Sequence, residues 1–128
     1  MLVVALVFVG VAIAIHCYIF VLESLTWTTP KTRAVFGVKT AEEAETTRPL
    51  AFNQGFYNLF LAVVAAVGLV AIIAGHLSVG AALVFASAGS MTLAGLVLLI
   101  SSPSKARAAL IQLVAPLIGV ICLAIALV

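Results

Sequence analysis

Apolar residues fill four long runs, Leu2 to Leu22, Leu50 to Ala74, Val79 to Ile100 and Ala109 to Val128, separated by short polar connections. A helix that crosses the hydrocarbon of a bilayer needs about 20 mostly apolar residues. Each run meets that requirement, and little chain is left for a separate soluble domain. The pattern predicts an all-α fold, an integral membrane four-helix bundle occupying residues 1–128 as one domain. Its helices are expected over residues 2–29, 49–74, 79–100 and 106–128, with a polar loop over 30–48. The first run has no positive leader and passes into Glu23 without a small-residue cleavage pattern. It reads as a retained helix rather than a secretory signal.

Local signals refine these boundaries. Pro30 disfavours helical geometry in the residue before it, which sets the expected end of the first helix at Thr29. Thr40, Glu42 and Glu43 fit a capping box and predict a short surface helical turn that ends before Arg48. Pro49 suits the first turn of the second span, where its missing amide proton is not needed. In the third span Ala82, Ala86, Ser90 and Ala94 recur every four residues, with Gly89 and Gly95 beside them. Small residues allow close backbone packing in lipid, so this helix is expected to be interior, within the bundle or between subunits. Pro116 interrupts the fourth span and predicts a kink.

Composition strengthens the membrane reading: 66% of the 128 residues are apolar and 8% are charged, and mean hydropathy is +1.39. The formal charge of +2 is too small to point to nucleic acid. Its distribution says more than its size. Lys31, Arg33, Lys39 and Arg48 lie between the first two spans, Lys105 and Arg107 lie between the last two, and the middle connection carries neither Lys nor Arg. Basic short loops mark the cytoplasmic side. The chain is therefore expected to be multi-pass in the cell membrane with both termini on the non-cytoplasmic face. Lys31, Arg33, Lys105 and Arg107 form a basic rim suited to anionic lipid headgroups. Cys17 and Cys122 fall inside spans and have no metal or redox spacing, so they read as small hydrophobes. No metal site is expected.

Candidate chemistry is confined to a few polar residues. His16 and Glu23 are seven apart and share nearly one helix face, able to look into a common cavity. Ionisable groups within a span face the protein interior or a water pocket. Two roles are open to His16, chemistry or an interhelical hydrogen bond, and Glu23 can be hydrated or paired with Lys31, Arg33 or Arg48. On the second span, Asn53 and Tyr57 are four apart, as are Gln54 and Asn58. Each pair stacks along one face. Amides buried without partners cost several kcal/mol, so this patch must meet other helices, water or a ligand. Gly55 among them admits close approach of another backbone or a headgroup. Gln112 adds an amide at the same level, and Trp27 reads as an aromatic-belt residue. The expectation is a polar, partly cationic cavity open to the cytoplasm, with Arg48, Asn53, Gln54, Tyr57, Asn58 and Gln112 as ligand-binding candidates. Glu23, Tyr57 and His16 are the candidates for proton transfer.

The stretches HCYIFVLESLTWTTPKTRAVFG and AFNQGFYNLFLA resemble the signatures of an uncharacterised family of small four-helix membrane proteins, domain of unknown function 1304. A more distant similarity is to the MAPEG proteins of eicosanoid and glutathione metabolism. That resemblance implies four-helix subunits assembled as trimers, with glutathione held between subunits near the cytoplasmic side. On its second-helix motif Arg48, Gln54 and Tyr57 stand for an arginine, an asparagine and a glutamate, so the last position departs from the family. In the fourth helix only Lys105 and Arg107 answer to an arginine-rich segment.

Three functions remain open on the residues alone. The first is an oligomeric membrane protein, with or without enzymatic activity, whose cavity binds a lipid-derived or amphipathic small molecule. The second is a small transporter or proton pathway through His16 and Glu23. The third is a non-catalytic lipid- or partner-binding subunit in which the amides join helices.

Overall fold

The computed structural model describes residues 1–128, and the chain is all-helical. Helix α1 covers Leu2–Phe20 and continues as a π turn over Val21–Leu25. Four further helices follow: α2 over Pro30–Phe36, α3 over Ala41–Ile73, α4 over Leu77–Ser101 and α5 over Ala106–Ala126. Four helical stretches, Leu2–Leu25, Ala41–Ile73, Leu77–Ser101 and Pro103–Ala126, are long and apolar enough to cross a membrane. They alternate in direction and pack in a ring, with α1 against α3, α3 against α4, α4 against α5 and α5 back against α1. This arrangement is compatible with a multi-pass membrane protein. It places α2 and the α4–α5 connection at one end, called here the basic end, and both chain termini at the other.

The core is built from small side chains. Ala5, Ala12, Ala62, Ala65, Ala88 and Val84 are fully or almost fully enclosed, so the helices approach closely. Between α3 and α4 the approach is tightest. A Cβ on Gly80 would lie 2.6 Å from the Gly68 carbonyl oxygen and 2.7 Å from the Ile72 backbone nitrogen. Small residues hold such contacts where apolar side chains and lipid tails are equally hydrophobic. Cys122 belongs to this core and Cys17 packs against it, both as free thiols.

Three boundaries differ from those expected. The first helix does not run in α geometry to Thr29. It widens at Val21, where the Thr26 amide donates to the Val21 carbonyl over 3.0 Å, and ends there. Pro30 opens a helix instead of only closing one: Thr29 is extended, as the residue before proline tends to be, and its hydroxyl caps α2 by accepting from the Thr32 amide. The turn is locked by the Thr26 and Thr32 hydroxyls, 2.9 Å apart.

The third difference is at Pro49. The capping box does form, with the Thr40 hydroxyl accepting from the Glu43 amide at 3.0 Å, while the Glu43 carboxylate accepts from the Lys39 amide at 3.0 Å. It starts a helix that continues through Pro49 rather than a separate turn. Proline in a helix interior removes one amide donor. Here the donor lost is the one that would have met the Glu45 carbonyl, in an exposed stretch where solvent can take its place.

The small-residue stripe of the third span is not the face that α4 buries within this chain. Ala82, Ala86, Ser90 and Ala94 are exposed, whereas the enclosed face of α4 is Gly80, Ala81, Val84, Ser87, Ala88, Met91, Thr92 and Gly95. Hydroxyls on both faces turn inward to their own helix: Ser87, Ser90 and Thr92 each donate to a carbonyl four residues back. Polar groups thus pass through the apolar layer without needing a partner helix.

Candidate functional site

The sequence that ends α1 also shapes the site. The π turn adds a residue to the helical repeat and re-aims the side chains that follow, a device often found at functional sites. Glu23 lies in the middle of this turn. The turn is seated directly on α3 because residue 55 is glycine: a Cβ there would collide with the Ser24 Oγ and lie 3.0 Å from the Ser24 amide nitrogen and 3.1 Å from the Glu23 Cβ. Ser24 Oγ donates to the Phe52 carbonyl at 2.9 Å and fixes the same contact. With the turn held there, Asn58 Nδ2 donates to Glu23 Oε2 at 2.9 Å and to the Gln54 carbonyl at 3.1 Å. A Phe20–Phe56 edge contact, with ring centroids 5.1 Å apart, braces α1 against α3 beside it.

Glu23 has no cationic partner. The one ion pair in the chain joins Arg48 to Glu45 at 3.5 Å, between two largely exposed side chains. The expected pairing of Glu23 with Lys31, Arg33 or Arg48 is therefore replaced by a neutral amide donor. The lysines and arginines of this segment lie beyond the π turn: Lys31 and Arg33 on α2, Lys39 in the connection that follows, and Arg48 on the exposed start of α3.

Glu23 borders a cavity of about 800 Å³ at the basic end, between the four spans and α2. Its apolar wall includes Ile15 and Ile19 of α1, Ala94 and Leu98 of α4, and Ala108 and Ile111 of α5. Polar groups interrupt this wall: Gln54, Asn58, Gln112, Ser101, Lys105 and Glu43 all reach it. From Ile15 to Glu23 the wall descends eight residues of helix, or about 12 Å at 1.5 Å per residue. The volume lies within the roughly 300–1,000 Å³ usual for small-molecule sites.

Trp27 belongs to this wall rather than to an outer aromatic belt. Its indole N–H donates to the Ala44 carbonyl at 3.1 Å and the Thr47 hydroxyl at 3.2 Å, and its ring packs on Phe36 with centroids 5.1 Å apart. The indole therefore ties the turn after α1 to the start of α3. Tyr18 and Phe36 also line the cavity. None of Trp27, Tyr18 and Phe36 stood out as a site residue in the sequence. A Trp and a Phe nine positions apart across a proline have no helical spacing to reveal their contact.

The family model described as "Protein of unknown function (DUF1304)" matches residues 10–124, which include every residue of the cavity wall. The chain belongs to this family. No curated protein and no solved structure matches it.

The polar residues singled out from the sequence divide into two groups. Glu23, Gln54, Asn58, Gln112 and Lys105 are on the cavity wall. His16, Arg48, Asn53, Tyr57, Lys31, Arg33 and Arg107 are not. His16 is 2% exposed and its Nδ1 donates to the Ala12 carbonyl of its own helix at 2.9 Å, so the common cavity expected for His16 and Glu23 does not form. Asn53 and Tyr57 are exposed on the outer flank of α3, a third of a turn away from Gln54 and Asn58. The expected partly cationic character is reduced to Lys105, with Glu23 and Glu43 on the same wall. Lys31 instead borders a smaller cavity of about 220 Å³ with Thr26, Thr29 and Thr32.

Proposed function

We propose that this family member is an integral membrane protein, with the basic end in the cytoplasm, whose cavity binds a lipid-derived or amphipathic small molecule at the level of the inner leaflet. The observation that carries this reading is the mixed character of one cavity wall. Fifteen of its 23 residues are hydrophobic, and Glu23, Gln54, Asn58 and Gln112 bring hydrogen-bonding groups to it from three helical stretches. A hydrocarbon tail lying along Ile15, Ile19 and Leu98 would leave its head among Glu23, Gln54, Asn58 and Gln112. Free acceptors and donors are available there: the Gln54 and Gln112 side-chain amides are not engaged within the chain, whereas Asn58 is already bonded to Glu23.

Native mass spectrometry of the protein released from a mild detergent tests the reading. The protein is expected to retain a stoichiometric amphiphile. Ala108→Trp, which fills the cavity from α5, is expected to lose it while keeping the same oligomer mass. Retention of identical adducts by both proteins, or of none by either, would remove the cavity from the function.

A further inference from the structure

Glu23 is an acidic side chain set within a membrane-spanning stretch, and the only group that bonds its carboxylate is an uncharged amide. An ionised carboxylate in such a place is costly unless a cation accompanies it. No lysine or arginine of this chain supplies one. Lys105 also reaches the wall, but it is an exposed residue at the mouth, and the chain's single ion pair is elsewhere. Glu43, the other acid on the wall, has its carboxylate committed to the Lys39 amide. Oε1 of Glu23 is thus left as an acceptor without a partner in the chain, on a wall shared by apolar, aromatic and neutral amide side chains.

Those aromatic side chains are the second observation. Tyr18, Trp27 and Phe36 line the same cavity as Glu23, and the Trp27 and Phe36 rings meet at 54° with centroids 5.1 Å apart, forming a corner rather than a flat stack. The indole N–H is turned away into its bonds with Ala44 and Thr47, which holds the ring in place. An aromatic face within about 6 Å attracts ammonium groups through its quadrupole, and tryptophan does so best. A carboxylate without a counter-ion combined with fixed aromatic rings is a wall suited to a cation.

We propose that the amphiphile taken up by this cavity carries an ammonium head, held between Glu23 and the Trp27–Phe36 corner, with its alkyl chain directed along α1 toward Ile15. This deepens the amphiphile-binding reading and rests on it. Recognition of an anionic head would place the like charge of Glu23 against the ligand and leave only Lys105 to offset it. The ammonium head instead supplies the charge that the cavity lacks.

The chain has one tryptophan, so its emission reports directly on this site. The test is a fluorescence titration of the full chain in nonionic maltoside micelles with alkyltrimethylammonium, alkyl phosphate and alkyl octaethylene glycol ligands of equal chain length. The ammonium series is expected to give a saturable change at least tenfold tighter than the phosphate series, with affinity rising about fourfold per added methylene. Glu23→Gln is expected to weaken ammonium binding by tenfold or more, while Lys105→Gln, which removes a like charge from the wall, is expected to tighten it. Should Glu23→Gln fail to fold, the comparison of heads and the Lys105→Gln variant still decide. Equal or tighter binding of the phosphate, or an unchanged ammonium affinity in Glu23→Gln, would overturn the ammonium head while leaving an amphiphile cavity in place. No saturable response to any of the three would overturn both.

Discussion

Asn58 Nδ2 donates to Glu23 Oε2 across 2.9 Å, joining the π turn that ends α1 to the middle of α3. The neighbouring amide one turn earlier, Gln54, reaches the same cavity but contributes only its backbone carbonyl to a bond within the chain. Two leucine substitutions should therefore separate. Asn58→Leu leaves the half-buried Glu23 carboxylate without its donor and is expected to cost about 1 kcal/mol or more, as a donor lost from a partly shielded carboxylate does. Gln54→Leu removes no bond and should stay within about 0.5 kcal/mol of the parent, while reducing the retained amphiphile. Thermal unfolding in detergent, paired with ligand retention, measures both. Equal destabilisation by the two substitutions would mean that the amides act together as helix-joining groups.

The seat of the π turn gives a second expectation. Gly55→Ala places a methyl against the Ser24 hydroxyl and close to Ser24 and Glu23 backbone and Cβ atoms. Overpacking of this kind costs about 1–3 kcal/mol. Ser24→Ala alone loses one hydrogen bond to Phe52, worth about 0.6 kcal/mol between membrane helices. Because the serine oxygen is the nearest obstacle, the double variant should be more stable than the sum of the two single effects predicts. A double-mutant cycle of unfolding midpoints checks this, and strict additivity would show that the turn shifts as a whole instead.

The four membrane-length helices were legible because their signal is one of length and composition, which no tertiary contact can mask. The grouping of Gln54 with Asn58 and of Asn53 with Tyr57 was legible for a similar reason, since a spacing of four fixes a shared face. Which of the two faces meets the cavity was not. That choice depends on Gly55 allowing the π turn to dock, and a π turn has no spacing pattern of its own. His16 was misplaced for a related reason: seven residues put it on the face of Glu23 only while the helix stays in α geometry, and α1 leaves that geometry at Val21. Pro49 shows the opposite effect, a local signal overridden by the capping box at Thr40 and by the length of the helix it begins.

Trp27 provides a test of how the basic end is held together. Its N–H serves two acceptors on α3, and its ring packs on Phe36 of α2, so it links three segments. Trp27→Phe keeps the ring contact and loses the hydrogen bonds, with an expected cost of about 1 kcal/mol. Trp27→Ala loses both and should cost about 3–5 kcal/mol, as deletion of a large packed aromatic does. Limited proteolysis between Gly37 and Thr40 is a convenient readout, because α2 and α3 are joined there by exposed or half-buried chain. Cleavage is expected to rise slightly for Trp27→Phe and strongly for Trp27→Ala. Similar cleavage in both variants would assign the restraint to the hydrogen bonds rather than to the ring.

Two glycines of α4 make opposite predictions from the same substitution. At Gly80 a Cβ would face backbone atoms of α3 on two sides, the Gly68 carbonyl oxygen at 2.6 Å and the Ile72 nitrogen at 2.7 Å, and neither can rotate away as a side chain would. Gly80→Ala must push α3 and α4 apart along a tightly packed stretch that includes Ala65, Val84 and Ala88, with an expected loss of about 2–3 kcal/mol. At Gly89, nine residues further along the same helix, a Cβ meets nothing within 4 Å. Alanine there removes the backbone freedom of glycine without a clash, so Gly89→Ala should be neutral or stabilising by up to about 1 kcal/mol. The pair can be compared in one unfolding experiment in detergent, where differences in insertion and micelle environment cancel between two alanine variants of one helix. A large loss at Gly89 would require that face of α4 to be covered by another subunit, because only a neighbour outside this chain could meet the added methyl.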